Sequence, residues 1–352
     1  MTRILHIHPD EKMAKIFVGP LIEKENLSGF KSHLMVFKSD TNNSNIKKIN
    51  LFVFNIFLIK EIIRYIIYLK RYNPDILISH NSLQSLIPLF FARLLKIKKI
   101  IYFNHGVTYL GYKGILKYLF KFIEIINLKI SDEIITVSKD MRNELKKINP
   151  NVSIIHNGSA CGIDLKPKSM LTKENNLSIP CNKFIINYSG RLKKRKGLDL
   201  IINLLKHYKN EKSLFFIFCG FSEKDLFKHV KSRFKNTQCF GFVDDINYFL
   251  QRSDITLLPS LHEGLPYVIL ESMLNKSLVI ANNIPGIRSI VKNNYNGLLI
   301  NNNDLNLYIK SIDEVKKNKL KFKKILQNGY ETVKEYDRKA FLEKYIKFLT
   351  KI

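Results

Sequence analysis

Short, almost wholly apolar runs alternate along this chain with longer stretches whose apolar residues recur at helical spacing, and no other feature restricts its fold as much. Residues 3–8 (R-I-L-H-I-H), 33–38, 50–54, 74–80 (P-D-I-L-I-S-H) and 99–104 read as strands, with 57–71 and 83–95 between them as helices. Further on, 183–189 (K-F-I-I-N-Y-S), 213–220 (S-L-F-F-I-F-C-G), 255–258, 278–281 and 298–300 read as strands again. Such alternation indicates an α/β architecture, a parallel sheet with helices on both faces. At 352 residues the chain exceeds what one core usually holds, so two domains are expected. The polar segment 165–181, with Pro167 and Pro180, reads as the linker.

Charge narrows the partners. Lysine and arginine number 58 against 30 acids, a net charge of +28 spread over both halves. A basic surface favours anionic partners: a nucleotide-sugar, an anionic lipid or nucleic acid. The abundance of Lys, Ile and Asn fits a codon bias as well as a membrane-surface role. No stacking aromatics lie on a basic stripe, so no nucleic acid is expected. Residues 114–130, with Lys117, Lys121 and Lys129 among apolar and aromatic side chains, fit a helix lying on an anionic membrane and equally one packed on the sheet. The apolar stretch 51–68 is broken by Lys60, Glu61 and Arg64, and 76–92 carries His80, Asn81, Ser82 and Gln84, so neither reads as a transmembrane helix. The chain opens on a strand rather than a signal peptide. Its four cysteines, Cys161, Cys181, Cys219 and Cys239, form no C-x-x-C pair. Both features point to a cytoplasmic protein with reduced thiols, and a basic surface adds the inner face of the membrane as a place of work.

Residues 259–271 (P-S-L-H-E-G-L-P-Y-V-I-L-E) carry the strongest chemical signal. The apolar run 255–258 precedes them, and a helical pattern begins after Gly264, with Pro266 expected in its first turn. A turn between a strand's carboxyl end and a helix's amino end presents free N–H groups and partial positive charge, which suits a phosphate. Glu263 in the turn and Glu271 on the helix are separated by at most ~12 Å at ~1.5 Å per residue. That is the reach of a sugar, a diphosphate and a ribose, so one carboxylate could hold sugar hydroxyls and the other those of a ribose. Taken singly, each glutamate also reads as a solvated acid. Earlier, 190–197 (G-R-L-K-K-R-K-G) brackets a cationic loop with two glycines at a strand's carboxyl end. Fixed cations there can stabilise a leaving diphosphate without a metal. The segment 103–106 (F-N-H-G) puts His105 at a strand's carboxyl end, where open α/β sheets place ligands, although a structural, hydrogen-bonded histidine also fits. Asp244 and Asp245 are adjacent rather than D-x-D, and read as helix-opening acids instead of a metal site.

With its E-x7-E spacing, H-E-G-L-P-x-x-x-L-E resembles the donor-site motif of the retaining glycosyltransferases of family 4, GT-B enzymes that take sugars from nucleotide diphosphates. The resemblance extends to 131–139, to the N-G-S-x-x-G-I-D string within 152–164, and to 239–245 and 295–300. It implies an α/β, GT-B fold: two Rossmann-like parallel-sheet domains facing a cleft. Residues 1–162 would form the acceptor-side domain, with 336–352 crossing back to it, 163–180 the linker, and 181–335 the nucleotide-sugar domain. The resemblance implies Arg191 and Lys196 on the diphosphate, Glu263 and His105 on the transferred sugar and Glu271 on the ribose. Gly190 and Val243 would lie beside the donor, and the turn of Gly264, Leu265 and Pro266 beside its phosphate and sugar. No metal or other cofactor is expected. The implied activity is transfer with retention from a nucleotide-sugar, UDP-linked by expectation, to a glycan or polyprenyl-linked acceptor in capsule, O-antigen or exopolysaccharide synthesis. No side chain is an obvious nucleophile, which fits a front-face route in which the leaving phosphate takes the acceptor's proton. An epimerase or hydrolase of the same fold is an alternative, and a basic membrane- or nucleic-acid-binding protein without catalysis is another. One departure stands out. The family follows its first strand with a glycine-rich loop, whereas this chain runs P-D-E-K-M-A-K-I-F-V-G-P. Lys12 and Lys15 are either substitute charges there or part of a solvated helix face.

Overall fold

The structure, a computed structural model, describes residues 1–38, 46–48, 58–166, 179–232, 234–243 and 245–352. The strand expected at 50–54, most of the polar segment 165–181 and Asp244 lie outside the described residues. The chain divides into two compact units, Met1–Gly162 together with Arg338–Ile352, and Ile163–Asp337.

The first unit holds β1 (Arg3–Asp10), β2 (Lys31–Lys38), β3 (Ile46–Lys48), β4 (Ile76–His80), β5 (Lys99–Asn104), β6 (Glu133–Thr136) and β7 (Val152–Ser153). The second holds β8 (Phe184–Ser189), β9 (Leu214–Cys219), β10 (Thr237–Cys239), β11 (Ile255–Leu258), β12 (Leu278–Asn282) and β13 (Leu298–Ile300). The spatial orders are β3-β2-β1-β4-β5-β6-β7 and β10-β9-β8-β11-β12-β13, and the ladders are parallel. Strands β4, β9, β11 and β12 are buried along their whole length, as a parallel sheet covered on both faces demands. In both units the winding reverses beside the first strand, between β1 and β4 and between β8 and β11. Helices on either side of such a reversal leave to opposite faces, which opens a crevice at the strands' carboxyl ends.

Aromatic side chains fill much of both cores, with Tyr65, Tyr102 and Phe103 fully buried in the first and Tyr188, Phe216 and Phe218 in the second. Each such ring contributes roughly 2–3 kcal/mol by leaving water. Tyrosine hydroxyls that go inside find partners: Tyr65 donates to the Pro88 carbonyl at 3.1 Å and Tyr102 to Glu124 at 2.9 Å. The closing helix, Arg338–Leu349, buries Phe341, Tyr345 and Leu349 and belongs to the first unit.

Where a glycine-rich loop is missing, β1 runs straight into the helix Glu11–Phe17. Asp10 caps that helix by accepting from the Met13 N–H at 2.8 Å. Lys15 pairs with Glu11 one turn back, at 2.7 Å, and so belongs to the helix surface. A second helix, Gly19–Leu27, follows with a proline in its first turn. The helix Gly114–Ile130 buries Ile123, Glu124, Asn127 and Leu128 and exposes Ile115, Leu116, Tyr118, Leu119 and Phe122. Among the described residues, no helix is long and apolar enough to cross a membrane.

Candidate active site

In the second unit, β8 ends at Ser189 and the cationic loop follows. A short 3-10 turn, Lys194–Lys196, closes the loop, and Gly197 then starts the helix Leu198–His207. Gly197 has φ +81°, and a Cβ there would lie 2.2 Å from the Pro259 carbonyl oxygen. Only glycine permits both the turn and this approach. The loop is thereby pressed against the start of the 259–271 segment, which leaves the carboxyl end of β11. Two further contacts tie them together: the Leu261 N–H donates to the Arg195 carbonyl at 2.8 Å, and the Lys196 ammonium pairs with Glu263. Tyr188 approaches the Arg191 and Lys196 carbonyls at 3.2 and 3.1 Å, so one buried hydroxyl clasps both ends of the loop. On the far side, Gly286 packs where a Cβ would meet the carbonyls of Glu263 and Gly264 at 2.5 Å. These glycine contacts fix the height of the Glu263 turn.

Glu263 is 7 % exposed, while Arg191 is exposed and its guanidinium has no hydrogen bond or ion pair among the described residues. Lys193, Lys194 and Arg195 are exposed, and Arg195 lies 3.5 Å from the His262 ring. Leu265 and Pro266 are buried, Gly264 partly so. Pro266 is not in the first helical turn. It is the extended residue just before the helix Tyr267–Leu274, at φ −80° and ψ 112°, where its fixed φ is tolerated and no N–H is required. Glu271 is half-buried in the middle of that helix. The N–H groups of Glu263, Gly264 and Leu265 donate to no acceptor among the described residues, so the turn that leads into the helix carries unengaged donors. Gly190, by contrast, already donates to the Cys219 carbonyl at 2.9 Å. Val243 packs half-buried on the cluster that includes Phe215, Ile217 and Phe249.

In the first unit, β5 delivers His105 to its carboxyl end. Asn104 sets the turn: its side chain accepts from the Gly106 N–H at 2.9 Å and donates to Glu124 at 2.8 Å. Glu124 also accepts from Ser82 at 2.6 Å and Tyr102 at 2.9 Å. Burial pushes the Glu124 carboxyl up to about 7, against the pull of those donors. His105 belongs to a cluster with His6 and His8 of β1 and His80 at the end of β4. His80 Nδ1 lies 2.8 Å from His105 Nε2, and His6 Nδ1 lies 3.0 Å from His80 Nε2. Burial and neighbouring histidines pull His105 down to about 3 and His80 well below its ordinary value, and burial takes His8 to about 4. These three rings are neutral at pH 7. The histidines at 6, 8 and 80, with Tyr188 and Gly286, were not among the residues the sequence singled out. For the histidines a signal exists: 6 and 8 share one face of a central strand, and 80 ends the next one. Among the described residues, no group of three acids, histidines or cysteines could hold a metal ion.

Two family models match the chain, one for glycosyl transferases group 1 over residues 170–332 and one for glycosyltransferase family 4 over residues 39–160. The chain is 27 % identical over 312 residues to the UDP-Gal:alpha-D-GlcNAc-diphosphoundecaprenol alpha-1,3-galactosyltransferase of Escherichia coli, covering 81 % of this chain and 79 % of that one. It is 28 % identical over 274 residues to a 41.2 kDa protein of the cps region of Klebsiella pneumoniae, covering 74 % of each. Its structure resembles HepE of Anabaena, solved in complex with UDP and glucose, with a TM-score of 0.81 over the whole of both chains at 15 % identity. The two doubly wound sheets are what that structural likeness shares. The chain belongs to family 4 of the glycosyltransferases, enzymes of the GT-B fold.

Proposed function

We propose that this glycosyltransferase moves a sugar, with retained configuration, from a UDP-linked donor to a polyprenyl-linked glycan during surface polysaccharide assembly. The observation that carries the reading is the junction of the cationic loop with the Glu263 turn, where Lys196, Glu263 and three unengaged N–H groups meet at the β8/β11 reversal. Arg191 and Lys196 supply fixed positive charge for the diphosphate, and the N–H groups of Glu263, Gly264 and Leu265 add oriented dipoles. Glu271 takes the ribose hydroxyls, while Glu263 and His105 take hydroxyls of the sugar. In the reaction the bond from the anomeric carbon to the phosphate oxygen breaks, and the acceptor oxygen bonds to that carbon on the same face. The acceptor's proton passes to the departing phosphate. Cations that are already in place lower the cost of that departure because nothing has to reorganise as charge develops. The E. coli relative's name supplies the donor and acceptor classes, and the Klebsiella relative's cps region the polysaccharide setting.

A polyprenyl acceptor lies in a membrane. The exposed face of the helix Gly114–Ile130 offers Ile115, Tyr118 and Phe122 beside exposed Lys113, Lys117 and Lys121. The adjoining helix Leu86–Leu94 adds exposed Phe90 and Leu94. We place this face on the anionic inner surface of the cytoplasmic membrane, apolar side chains inserted and ammonium groups at the headgroups. The test is transfer of label from UDP-sugars to polyprenyl-diphosphate glycans. Glu263→Ala and Lys196→Ala should each lower turnover by about 100-fold or more, the scale of losing one charge-stabilising group. Near-normal turnover in both would discard the site. Label released as free sugar, with none on the acceptor, would favour a hydrolase.

A further inference from the structure

Behind His105 runs a line of buried polar groups that the reading above does not use. Tyr345 of the closing helix donates to Glu25 Oε1 at 2.6 Å, and both Glu25 oxygens lie 3.0 Å from His6 Nε2. His6 Nδ1 meets His80 Nε2 at 3.0 Å, and His80 Nδ1 meets His105 Nε2 at 2.8 Å. Tyr345, Glu25 and His6 are 0 % exposed and His80 1 %. His105 is the partly exposed end of the line, and its Nδ1 has no hydrogen bond among the described residues.

We propose that Glu25, His6 and His80 are positioning residues that fix the ring polarity of His105, with the proton on Nε2 and the Nδ1 lone pair turned to a hydroxyl of the bound sugar. A carboxylate that accepts the Tyr345 hydroxyl hydrogen bond accepts from its other neighbour as well, so His6 carries a proton on Nε2. A neutral imidazole then has a lone pair on the other nitrogen. His6 Nδ1 therefore accepts from His80 Nε2, and His80 Nδ1 from His105 Nε2. With a neutral His6, which the proposal includes, each ring has one consistent state, and the choice made at Glu25 is copied three rings away; a proton on both His6 nitrogens would instead put the His105 proton on Nδ1. Burial keeps His80 and His105 neutral, which the copying requires. The other polar groups facing the line are His8, which lies edge-on to His105 with ring centres 6.2 Å apart, and Asn81, 3.3 Å from His8 Nε2. Neither touches His105 Nδ1. The inference rests on His105 facing the sugar, but the polarity itself does not.

Nitrogen-15 NMR of histidine-labelled protein at pH 7.5 reads the tautomers directly. In the wild type His105 should be about 10:1 in favour of Nε2–H, the ratio that one hydrogen bond of ~1.4 kcal/mol sets. Glu25→Gln turns an amide N–H toward His6 Nε2, which reverses the line, and His105 should move to Nδ1–H. Its kcat should fall about tenfold, with the donor KM held within about threefold, the scale on which losing an orienting partner acts. His80→Phe keeps a ring but cuts the line, and His105 should become a mixture. A wild-type His105 carrying its proton on Nδ1, or a tautomer unmoved in both variants, would overturn the proposal. A reversed tautomer with unchanged kcat would leave the line intact but remove its catalytic meaning, and with it the placement of His105 on the sugar.

Discussion

Lys196 and Glu263 form the joint between the two motifs proposed to hold the donor, and breaking it should leave a signature in both stability and binding. Their side chains are 20 % and 9 % exposed, so the pair sits between surface and interior. Unit charges ~4 Å apart at an effective dielectric of ~20 attract by about 4 kcal/mol. Desolvation returns much of that, leaving a net coupling of about 1–2 kcal/mol. Glu263→Gln keeps the shape but strands a partly buried ammonium, and Lys196→Met strands a buried carboxylate. Each should cost about 2 kcal/mol, or ~4–8 °C in Tm for a unit of this size. The double variant should regain the coupling, so its loss falls short of the sum by about 1–2 kcal/mol. Titration with UDP then separates the roles. Lys196→Met removes a cation assigned to the diphosphate and should weaken UDP about 10- to 100-fold, by the arithmetic of ~1.4 kcal/mol per decade. Glu263→Gln frees the ammonium from its carboxylate and should strengthen UDP binding severalfold while abolishing sugar transfer. Losses that add within ~0.5 kcal/mol would refute the coupling. UDP weakened equally in both variants would refute the division of labour.

Gly197→Ala should cost well above ~2 kcal/mol, since it sets a left-handed strain of ~1–2 kcal/mol beside a clash with the Pro259 carbonyl, and transfer should be lost with the fall in Tm. Glu271→Ala, at a half-buried position, should leave Tm within about 2 °C and raise the UDP dissociation constant about tenfold by calorimetry, a loss of one charge-assisted hydrogen-bonding group. His8 is depressed in the folded state from 6.5 to about 4. Its contribution is complete above pH 6.5 and lost as the pH falls through about 4, roughly 3 kcal/mol in all. His8→Gln should therefore flatten the fall in urea midpoint across that window. Ile115→Glu with Phe122→Glu should reduce sedimentation with anionic vesicles about tenfold or more while leaving Tm unchanged, because both side chains are already in water.

The sheets were legible because buried parallel strands have to be apolar along their length, and runs such as 255–258 or 214–219 have no other use in a chain of this size. The two motifs proposed to hold the donor were legible separately, as a cationic loop between glycines and as two acids about a helix start. Their joint was not, because it is made by Gly197 against Pro259 and by Leu261 on Arg195, contacts set by where β8 and β11 lie side by side. The histidine line was hidden for the same reason. A histidine inside an apolar strand reads as a core residue until the registers of β1, β4 and β5, with His6 opposite Ile78 and His80 opposite Phe103, set three of them stepwise across neighbouring strands. Pro266 shows the limit of local rules: its pattern allowed a place inside the helix, and the structure makes it the extended residue just before it.

Both units bring chemistry to the same topological point, the reversal beside their first strand, yet with opposite electrostatics. In the first unit burial holds His8, His80 and His105 neutral, so these rings can direct hydrogen bonds but cannot balance a diphosphate. At β8/β11 the groups are the Arg191 guanidinium, which has no partner among the described residues, Lys196, whose carboxylate partner a ligand can share, and a run of unengaged N–H groups. Under the proposed roles, charge on a leaving diphosphate is met at β8/β11, and the neutral rings are left to discriminate hydroxyls. It follows that a cation introduced at the first site cannot compensate for one removed at the second. Lys196→Met combined with His8→Lys should be no more active than Lys196→Met alone, and recovery of transfer in that double variant would show that the division drawn from burial is wrong.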